Sequence, residues 1–134
     1  TKSDLILRDL DLISEMRGEA GITITTLDDR VSKITEPGAP LPEKRLETLR
    51  TLTDEGIDAY ALVGPVLKFM EGNEEAFVNA IAETGVKRMC LDRLNLRPLL
   101  SVRLERMNIT GSVTALEKIR ILAEDAGISV EDVF

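Results

Sequence analysis

A strand, helix and strand unit between Gly21 and Pro65 constrains the fold more than any other part of the chain. An apolar and threonine-rich run, GITITTLDD, is followed by EPGAPLP, by a charged periodic segment and by a second apolar run, YALVGPV. Parallel strands need a long crossover between them, which is usually a helix. This order therefore predicts a βαβ unit of a parallel sheet, whose functional groups collect where the strands end.

The segment between the two apolar runs has a helical period. Pro42 occupies a position where a first turn tolerates proline, and Gly56 is placed to cap the carboxyl end. The apolar positions, at spacings of three to five residues, are Leu46, Leu49, Leu52 and Ile57. The charged residues predict an exposed outer face made of Glu43, Lys44, Arg45, Glu47 and Arg50.

Similar patterns predict the other elements. A first helix starts at Ser3 or Asp4 and runs to about Arg17, where Gly18 and Gly21 end it. The later elements are a strand at 22–26, a helical turn at 28–34, a strand at 58–66, a helix from 72–73 to 85, a strand at 87–94, a linker that contains Pro98, and a last helix from Ser112 or Thr114 to Gly127. Repeated strand and helix units predict a parallel α/β array.

Three parallel strands with helices on one side predict a partial (β/α) barrel of the TIM type. A complete barrel needs about 250 residues, and the chain has 134. The partial barrel occupies residues 1–98, and residues 99–134 form a linker and a helix that packs on or extends it. Because one sheet face and the edges are uncovered, we expect a partner, either the missing amino-terminal half or a second copy in a homo-oligomer.

The content of cysteine and histidine excludes several kinds of site. The chain has no histidine, and Cys90 is its only cysteine. An internal disulfide, a histidine-dependent catalytic triad and a thiolate or imidazole metal site are therefore excluded. Cys90 lies in an apolar run, KRMCLDRLNL, and is predicted to be buried. We find no apolar run of the roughly 18 residues that a membrane span needs, and expect a cytoplasmic protein with no membrane partner.

The charge of the chain is uneven. The net charge of -7 disfavours nonspecific binding of nucleic acid by the chain as a whole. Residues 87–106 are an exception, because they contain six basic and two acidic residues. This segment is either a solvated face or the approach for an anionic substrate or cofactor.

Three segments carry a resemblance to a known superfamily. They are TKSDLILRDLDLI, the run from GITITTLDD to YALVGPV, and MCLDRLNLRP. Together they resemble the later two-thirds of the barrel of the radical S-adenosylmethionine (radical SAM) superfamily, most closely the branch of DNA repair photolyases and spore photoproduct lyase-like enzymes. The resemblance covers about residues 1–97 and does not extend to the segment from Leu99 onward.

The resemblance implies an iron–sulfur enzyme. Members hold a four-iron four-sulfur cluster through a CxxxCxxC loop, and the cluster cleaves S-adenosylmethionine to a 5'-deoxyadenosyl radical. This chain has no CxxxCxxC, so we expect it to be inactive and to bind neither cofactor by itself. The start at Thr1, without methionine, favours loss of the first strands over a degenerate relative. The substrate is unknown, and nucleic acid is a candidate only for the full-length protein.

The resemblance also implies roles for residues at strand ends. Lys2 resembles the lysine near the methionyl carboxylate of S-adenosylmethionine, where opposite charges pair. Thr23 and Thr25 resemble polar positions of the fourth strand that bind the amino-acid or ribose moiety, although threonine is also simply a good strand residue. Gly64 matches loosely a glycine near the adenine, and an ordinary strand-ending Gly-Pro is the alternative.

Polar residues alternate along and beyond the third predicted strand. They are Asp92, Arg93, Asn95 and Arg97. Either the odd or the even set can face inward, because side chains alternate along a strand. The inward set is a candidate for substrate contact, and helix capping or ion pairing is the alternative.

Two other classes of function remain open from the sequence. A barrel enzyme that binds phosphate would need a glycine-rich loop before a helix, whereas Gly38 and Gly72 are isolated. A noncatalytic half-barrel could instead serve as an interaction or dimerisation module. Three cysteines upstream in the full-length protein would favour the radical SAM enzyme over this module.

Overall fold

The computed structural model describes residues 1–95 and 98–133. Two short 3-10 helices, Asp4–Asp9 and Lys68–Met70, precede the first and fourth α-helices. In chain order the other elements are α1 (Leu10–Glu15), β1 (Glu19–Thr23), α2 (Asp29–Thr35), α3 (Pro42–Asp54), β2 (Asp58–Val66), α4 (Glu74–Ala82), β3 (Arg88–Arg93), α5 (Pro98–Arg106), α6 (Val113–Asp125) and β4 (Ser129–Asp132). No helix within the described ranges is long and apolar enough to cross a bilayer.

The strands form one parallel sheet in the order β1, β2, β3, β4. Each strand therefore pairs with the next strand along the chain, and helices make every connection. A barrel has this sequential order, whereas a doubly wound sheet reverses its order at a switch point. The structure thus confirms the α/β class and is consistent with a partial (β/α) barrel.

One face of the sheet packs against the helices. The register places Ala20 beside Ala59, Ala61 beside Met89 and Val63 beside Leu91. These residues join one hydrophobic core with side chains from three helices, namely Leu49 and Leu52 of α3, Phe77 and Ile81 of α4, and Leu116 and Ile119 of α6. Each large apolar side chain buried there contributes about 1.5–3 kcal/mol to stability.

The opposite face corresponds to the interior of a barrel, and its amino end is filled by the chain itself. Arg88 Nη2 lies 2.9 Å from Glu19 Oε2 and 3.4 Å from Asp58 Oδ1. The Arg88 guanidinium also lies 4.9 Å from the centroid of the Tyr60 ring. That ring covers Gly21, where a Cβ atom would lie 2.7 Å from the Tyr60 hydroxyl oxygen. Open space on this face therefore lies toward the carboxyl ends of the strands.

Thr1 pairs with the outer edge of β1. Its amino group donates to the Gly21 carbonyl at 2.8 Å, and the Thr23 N–H donates to the Thr1 carbonyl at 2.8 Å. This alternation is the hydrogen-bond pattern of parallel strands. Lys2 consequently lies at the carboxyl end of the sheet.

The region after β3 departs most from the prediction. Pro98, which we placed in a linker, begins α5, because a first helical turn tolerates proline. β4 was missed entirely and pairs with β3, so the described residues form a sheet of four strands, whereas three were predicted. Ser112 caps α6 through the Ala115 N–H, as predicted. The boundary between domains at residue 98 stays a prediction.

Two smaller predictions were wrong, and a third was right in part. The first helix begins where predicted and Ser3 caps it, but it is a 3-10 helix up to Asp9 and is then followed by α1. Gly21 lies inside β1 and does not end that helix. Arg45 was assigned to the exposed face of α3 but is only 2% exposed. Its spacing from Leu49 and Leu52 places it on the buried stripe.

Candidate functional site at the carboxyl end of the sheet

Glu36, in the EPGAP loop after α2, is the centre of a polar cluster at the carboxyl end of β1. Its Oε1 lies 2.7 Å from Lys2 Nζ, and its Oε2 lies 2.6 Å from Arg45 Nη1. The Thr25 hydroxyl donates to the same Oε2 at 3.0 Å. The side chains of Glu36 and Arg45 are 8% and 1% exposed, whereas that of Lys2 is 42% exposed. Lys2 is therefore the solvent-accessible member of the cluster.

Arg45 ties this cluster to three neighbouring segments. Its Nε donates to the Pro40 carbonyl at 2.7 Å, and its Nη1 donates to the Thr23 carbonyl at 3.2 Å. Its Nη2 donates to Ser32 Oγ of α2 at 3.4 Å. The planar guanidinium satisfies several acceptors at fixed angles. The EPGAP loop is thus held against the end of β1 and against α2.

The cluster carries one net positive charge, because Glu36 remains ionised between two cations. Burial by itself would raise the pKa of Glu36, but hydrogen bonds and charges from Lys2 and Arg45 outweigh it and lower the pKa. The lowered pKa keeps the carboxylate charged at neutral pH. The group of Lys2, Glu36 and Arg45 consequently presents a single positive charge.

A cavity of about 250 Å³ lies beside the cluster. Lys2, Thr25, Thr35 and Glu36 form its polar wall. The apolar wall includes Pro65, Leu67 and Leu94 from the ends of β2 and β3, and Leu104, Met107 and Ile109 from α5 and the turn after it. The cavity combines a small charged wall with a larger apolar one, which is typical of sites for small ligands.

The loop between α5 and α6 is fixed over the end of β2. Gly111 forms an antiparallel bridge with Leu67. The Lys68 N–H donates to the Thr110 carbonyl at 2.8 Å, and the Ser112 N–H donates to the Val66 carbonyl at 3.1 Å. These contacts place the apolar residues before Gly111 at the cavity.

Asp92 faces the barrel side of the sheet, beside Gly64. A Cβ atom on Gly64 would lie 2.5 Å from the Asp92 Cβ, so only glycine permits this approach. The Asp92 Oδ1 is buried and has no hydrogen-bond partner within residues 1–95 and 98–133. A buried oxygen of this kind normally has a partner, which a ligand could supply.

The structure separates the other predicted site residues from the cavity. Thr23 is buried, and its carbonyl accepts from Arg45, but its side chain does not line the cavity. Arg93 and Asn95 are exposed and also do not line it. Arg97 lies outside the described residues. Lys2 and Thr25 are therefore brought together at the cavity, and Gly64 and Asp92 form a second pair that does not line it.

Neither a reactive thiol nor a thiolate metal site is supported by the surroundings of Cys90. Cys90 is buried, as predicted, and burial together with the charge of Glu131 raises the pKa of its thiol. Over the described part of the chain, no group of three or more potential metal ligands comes together. An iron–sulfur cluster, which needs several thiolates, does not fit the residues of this chain alone.

A larger cavity, of about 310 Å³, lies between α2, α4 and the 3-10 helix at Lys68–Met70. Phe69 and Phe77 supply much of its apolar lining. Asp28 lies at its rim, but the Asp28 carboxylate already accepts from the Arg30 and Val31 N–H groups and caps α2. None of the predicted site residues lines this cavity, so we assign the site to the smaller one.

Sequence reasoning missed the two central residues of the cluster. EPGAP was recognised as a motif, but Glu36 was given no role in the site. Arg45 had a usable signal, because it lies four residues before Leu49 and seven before Leu52 on one helical stripe. A charged residue within such a stripe indicates a buried ion pair.

Comparison of the sequence with known proteins finds relatives but no matching family model. The chain is 37% identical over 86 residues to an uncharacterized protein of Methanocaldococcus jannaschii, a match that covers 59% of this chain and 33% of that protein. It is 31% identical over 105 residues to an uncharacterized protein of Acidianus two-tailed virus, covering 72% and 35%. It is 28% identical over 104 residues to an uncharacterized protein of Mycobacterium tuberculosis, covering 72% and 31%. The chain thus spans about a third of the length of these relatives.

Comparison with solved structures supports the fold. A domain of pyruvate-formate lyase-activating enzyme from Bacteroides vulgatus superposes with a TM-score of 0.65 and 15% sequence identity. The match covers 92% of this chain and 74% of that domain. At this identity the similarity establishes a shared α/β architecture.

Proposed function

We propose that this chain forms the carboxyl-terminal part of a radical SAM barrel and contributes to the binding of S-adenosylmethionine. The observation that carries the proposal is the convergence of Lys2 and Thr25 on Glu36 beside a cavity at the carboxyl ends of parallel strands. Sites of barrel enzymes lie at this end. The similarity to an activating enzyme of the radical SAM class supports the same assignment.

The residues of this chain would bind and orient the cofactor. Lys2 would pair with the methionyl carboxylate, since its ammonium is the accessible cation of the cluster. The apolar wall would exclude water from the bound molecule. When the iron–sulfur cluster is bound, it supplies the electron that cleaves S-adenosylmethionine.

The cysteines that bind the iron–sulfur cluster would come from another part of the barrel. Cys90 is buried on the sheet and is the only thiol, so we propose a CxxxCxxC loop on an amino-terminal half that closes the barrel. A second copy of this chain is the alternative partner. The branch of DNA repair photolyases, and nucleic acid as substrate, rest on the resemblance of the sequence alone.

The coding sequence upstream of Thr1 and the protein that it specifies test the proposal. We expect three cysteines in CxxxCxxC spacing, absorbance near 400 nm after anaerobic reconstitution with iron and sulfide, and release of 5'-deoxyadenosine on reduction with S-adenosylmethionine. A protein without the motif, or one that forms no cluster, would contradict the proposal and favour the noncatalytic half-barrel.

Variants of Lys2 and Lys44 separate the role of Lys2 from general charge effects. In the reconstituted protein, Lys2→Met should weaken the binding of S-adenosylmethionine about tenfold or more, because a hydrogen bond to a charged group is lost. Lys44→Met is the matched control, since Lys44 forms an exposed pair with Glu47 on α3. Equal affinity in the two variants would remove Lys2 from the site.

A further inference from the structure

We propose that Glu36 is a positioning residue, which holds the Lys2 ammonium at the cavity and leaves the Thr25 hydroxyl able only to accept hydrogen bonds from a ligand. The identity of that ligand rests on the proposed function. The contacts themselves belong to this chain, and they can be tested without any cofactor.

Arg45 fixes the orientation of the Glu36 side chain. The guanidinium contacts Glu36 Oε2 and also donates to the carbonyls of Thr23 and Pro40 and to Ser32 Oγ. Rotation of Arg45 would break all of these contacts together. Because Oε2 is anchored in this way, Oε1 is left to point at Lys2, 2.7 Å away.

Lys2 needs such an anchor. A lysine side chain has four carbons between backbone and ammonium, and it loses much rotamer freedom when it is held in place. Its ammonium has three N–H groups, of which one is directed at Glu36 Oε1. The other two remain for a ligand in the cavity, whose wall includes Lys2.

The same carboxylate fixes the direction in which the Thr25 hydroxyl forms hydrogen bonds. A hydroxyl has one hydrogen and two lone pairs, and the Thr25 hydrogen is used in the bond to Glu36 Oε2. The hydroxyl therefore accepts from a ligand and does not donate to it. Donors on Lys2 and an acceptor on Thr25 fit a ligand with an anionic group and an amino or hydroxyl group close together.

The exchange of lysine ammonium protons with water measures this anchoring in the 134-residue chain. In the native chain, Lys2 should exchange about tenfold more slowly than Lys44, because Lys2 is held by a buried carboxylate. The pair of Lys44 with Glu47 is instead exposed on both sides, with side chains 51% and 58% exposed. Nitrogen-15 spectra of the lysine side chains give both rates, and the signal absent from Lys2→Arg identifies Lys2.

Substitution of each carboxylate supplies the matched comparison. Glu36→Gln should bring the Lys2 rate to within about twofold of the Lys44 rate, whereas Glu47→Gln should leave the Lys2 rate unchanged. Glu36→Asp provides a second variant that keeps a charge beside Arg45 but withdraws the carboxylate by one methylene. It should also release Lys2, even if Glu36→Gln fails to fold.

The outcomes distinguish this inference from the proposed function. Equal exchange of Lys2 and Lys44 in the native chain, or slow exchange of Lys2 in a folded Glu36→Asp variant, would overturn the positioning role. A slow Lys2 ammonium that Glu36→Asp releases would support it, even if the upstream sequence lacks the cysteine motif and the proposed function fails.

Discussion

Arg45 occupies a position on α3 that helices usually give to an apolar side chain. Its stripe also contains Leu49 and Leu52, which are fully buried in the core. A buried guanidinium is tolerated because Glu36 neutralises it and three other acceptors surround it. The same side chain thus holds the EPGAP loop against β1 and determines where Lys2 can lie.

Removal of Arg45 should be costly, because it would leave Glu36 buried with only one cation. We expect Arg45→Met to lower the free energy of unfolding by about 3–5 kcal/mol. Arg50→Met on the exposed side of the same helix is the control and should change it by about 0.5 kcal/mol or less. Urea denaturation measures both. Similar effects of the two substitutions would show that the buried cluster does not stabilise the fold.

Glu36 should also make stability depend on pH. Burial opposes ionisation of Glu36, but the hydrogen bonds and charges of Lys2 and Arg45 have the larger effect. They lower the pKa of Glu36 in the folded chain below the ordinary value of 4.5. The unfolded chain therefore binds the proton more tightly. The stabilisation is complete above the ordinary pKa and is lost as the pH falls through the lower folded value.

Urea denaturation at a series of pH values tests this linkage. We expect the free energy of unfolding to decrease as the pH falls from about 5 toward 3. Glu36→Gln should decrease less steeply over the same range, because its amide does not titrate. Parallel curves for the two proteins would contradict a lowered pKa for Glu36.

At the scale of elements, the predictable parts of the chain are those with strong internal signals. β2 was predicted at residues 58–66 and lies at Asp58–Val66, because its apolar run is buried within the sheet. β4 has only one apolar residue, Val130, and its pairing with β3 is a tertiary contact that local sequence does not encode. α5 was missed because Pro98, which begins it, was placed in a linker.

The residues of the candidate site were likewise predictable only in part. Lys2 and Thr25 were predicted from the resemblance and do meet at the end of the sheet. Glu36 joins them only because α2 and α3 fold the loop back onto β1, which involves contacts between residues far apart in sequence. The unpartnered oxygen of Asp92 likewise depends on the packing of β3 beside Gly64. Such features need the assembled sheet.

Gly21 of β1 leaves room for a side chain of the neighbouring strand, β2. The Tyr60 ring of β2 lies over Gly21 of β1, so any side chain there would collide with the ring. We expect Gly21→Ala to lower the free energy of unfolding by about 1–3 kcal/mol through this clash. The same substitution in a Tyr60→Ala background should cost much less, and urea denaturation of the four proteins gives the coupling. An unchanged cost in that background would exclude the ring as the cause.

At the scale of the whole molecule, the two faces of the sheet differ in how completely they are covered. The face toward α3, α4 and α6 is fully buried at Ala61, Met89 and Leu91. The opposite face leaves Tyr60 and Leu62 half-buried on the central strand. Apolar side chains on an uncovered sheet face favour association with another surface.

The isolated chain should therefore associate through this face. Sizing chromatography with light scattering should show a dimer or a larger species at micromolar concentration, because apolar side chains on an uncovered sheet face favour association. Leu62→Lys would place a charge at the centre of the contact and should yield a monomer. Ile121→Lys on the outer side of α6, where Ile121 is 57% exposed, is the control and should leave the assembly intact. A monomeric native chain would show that the face is covered within one copy, and equal dissociation by both lysine substitutions would place the contact elsewhere.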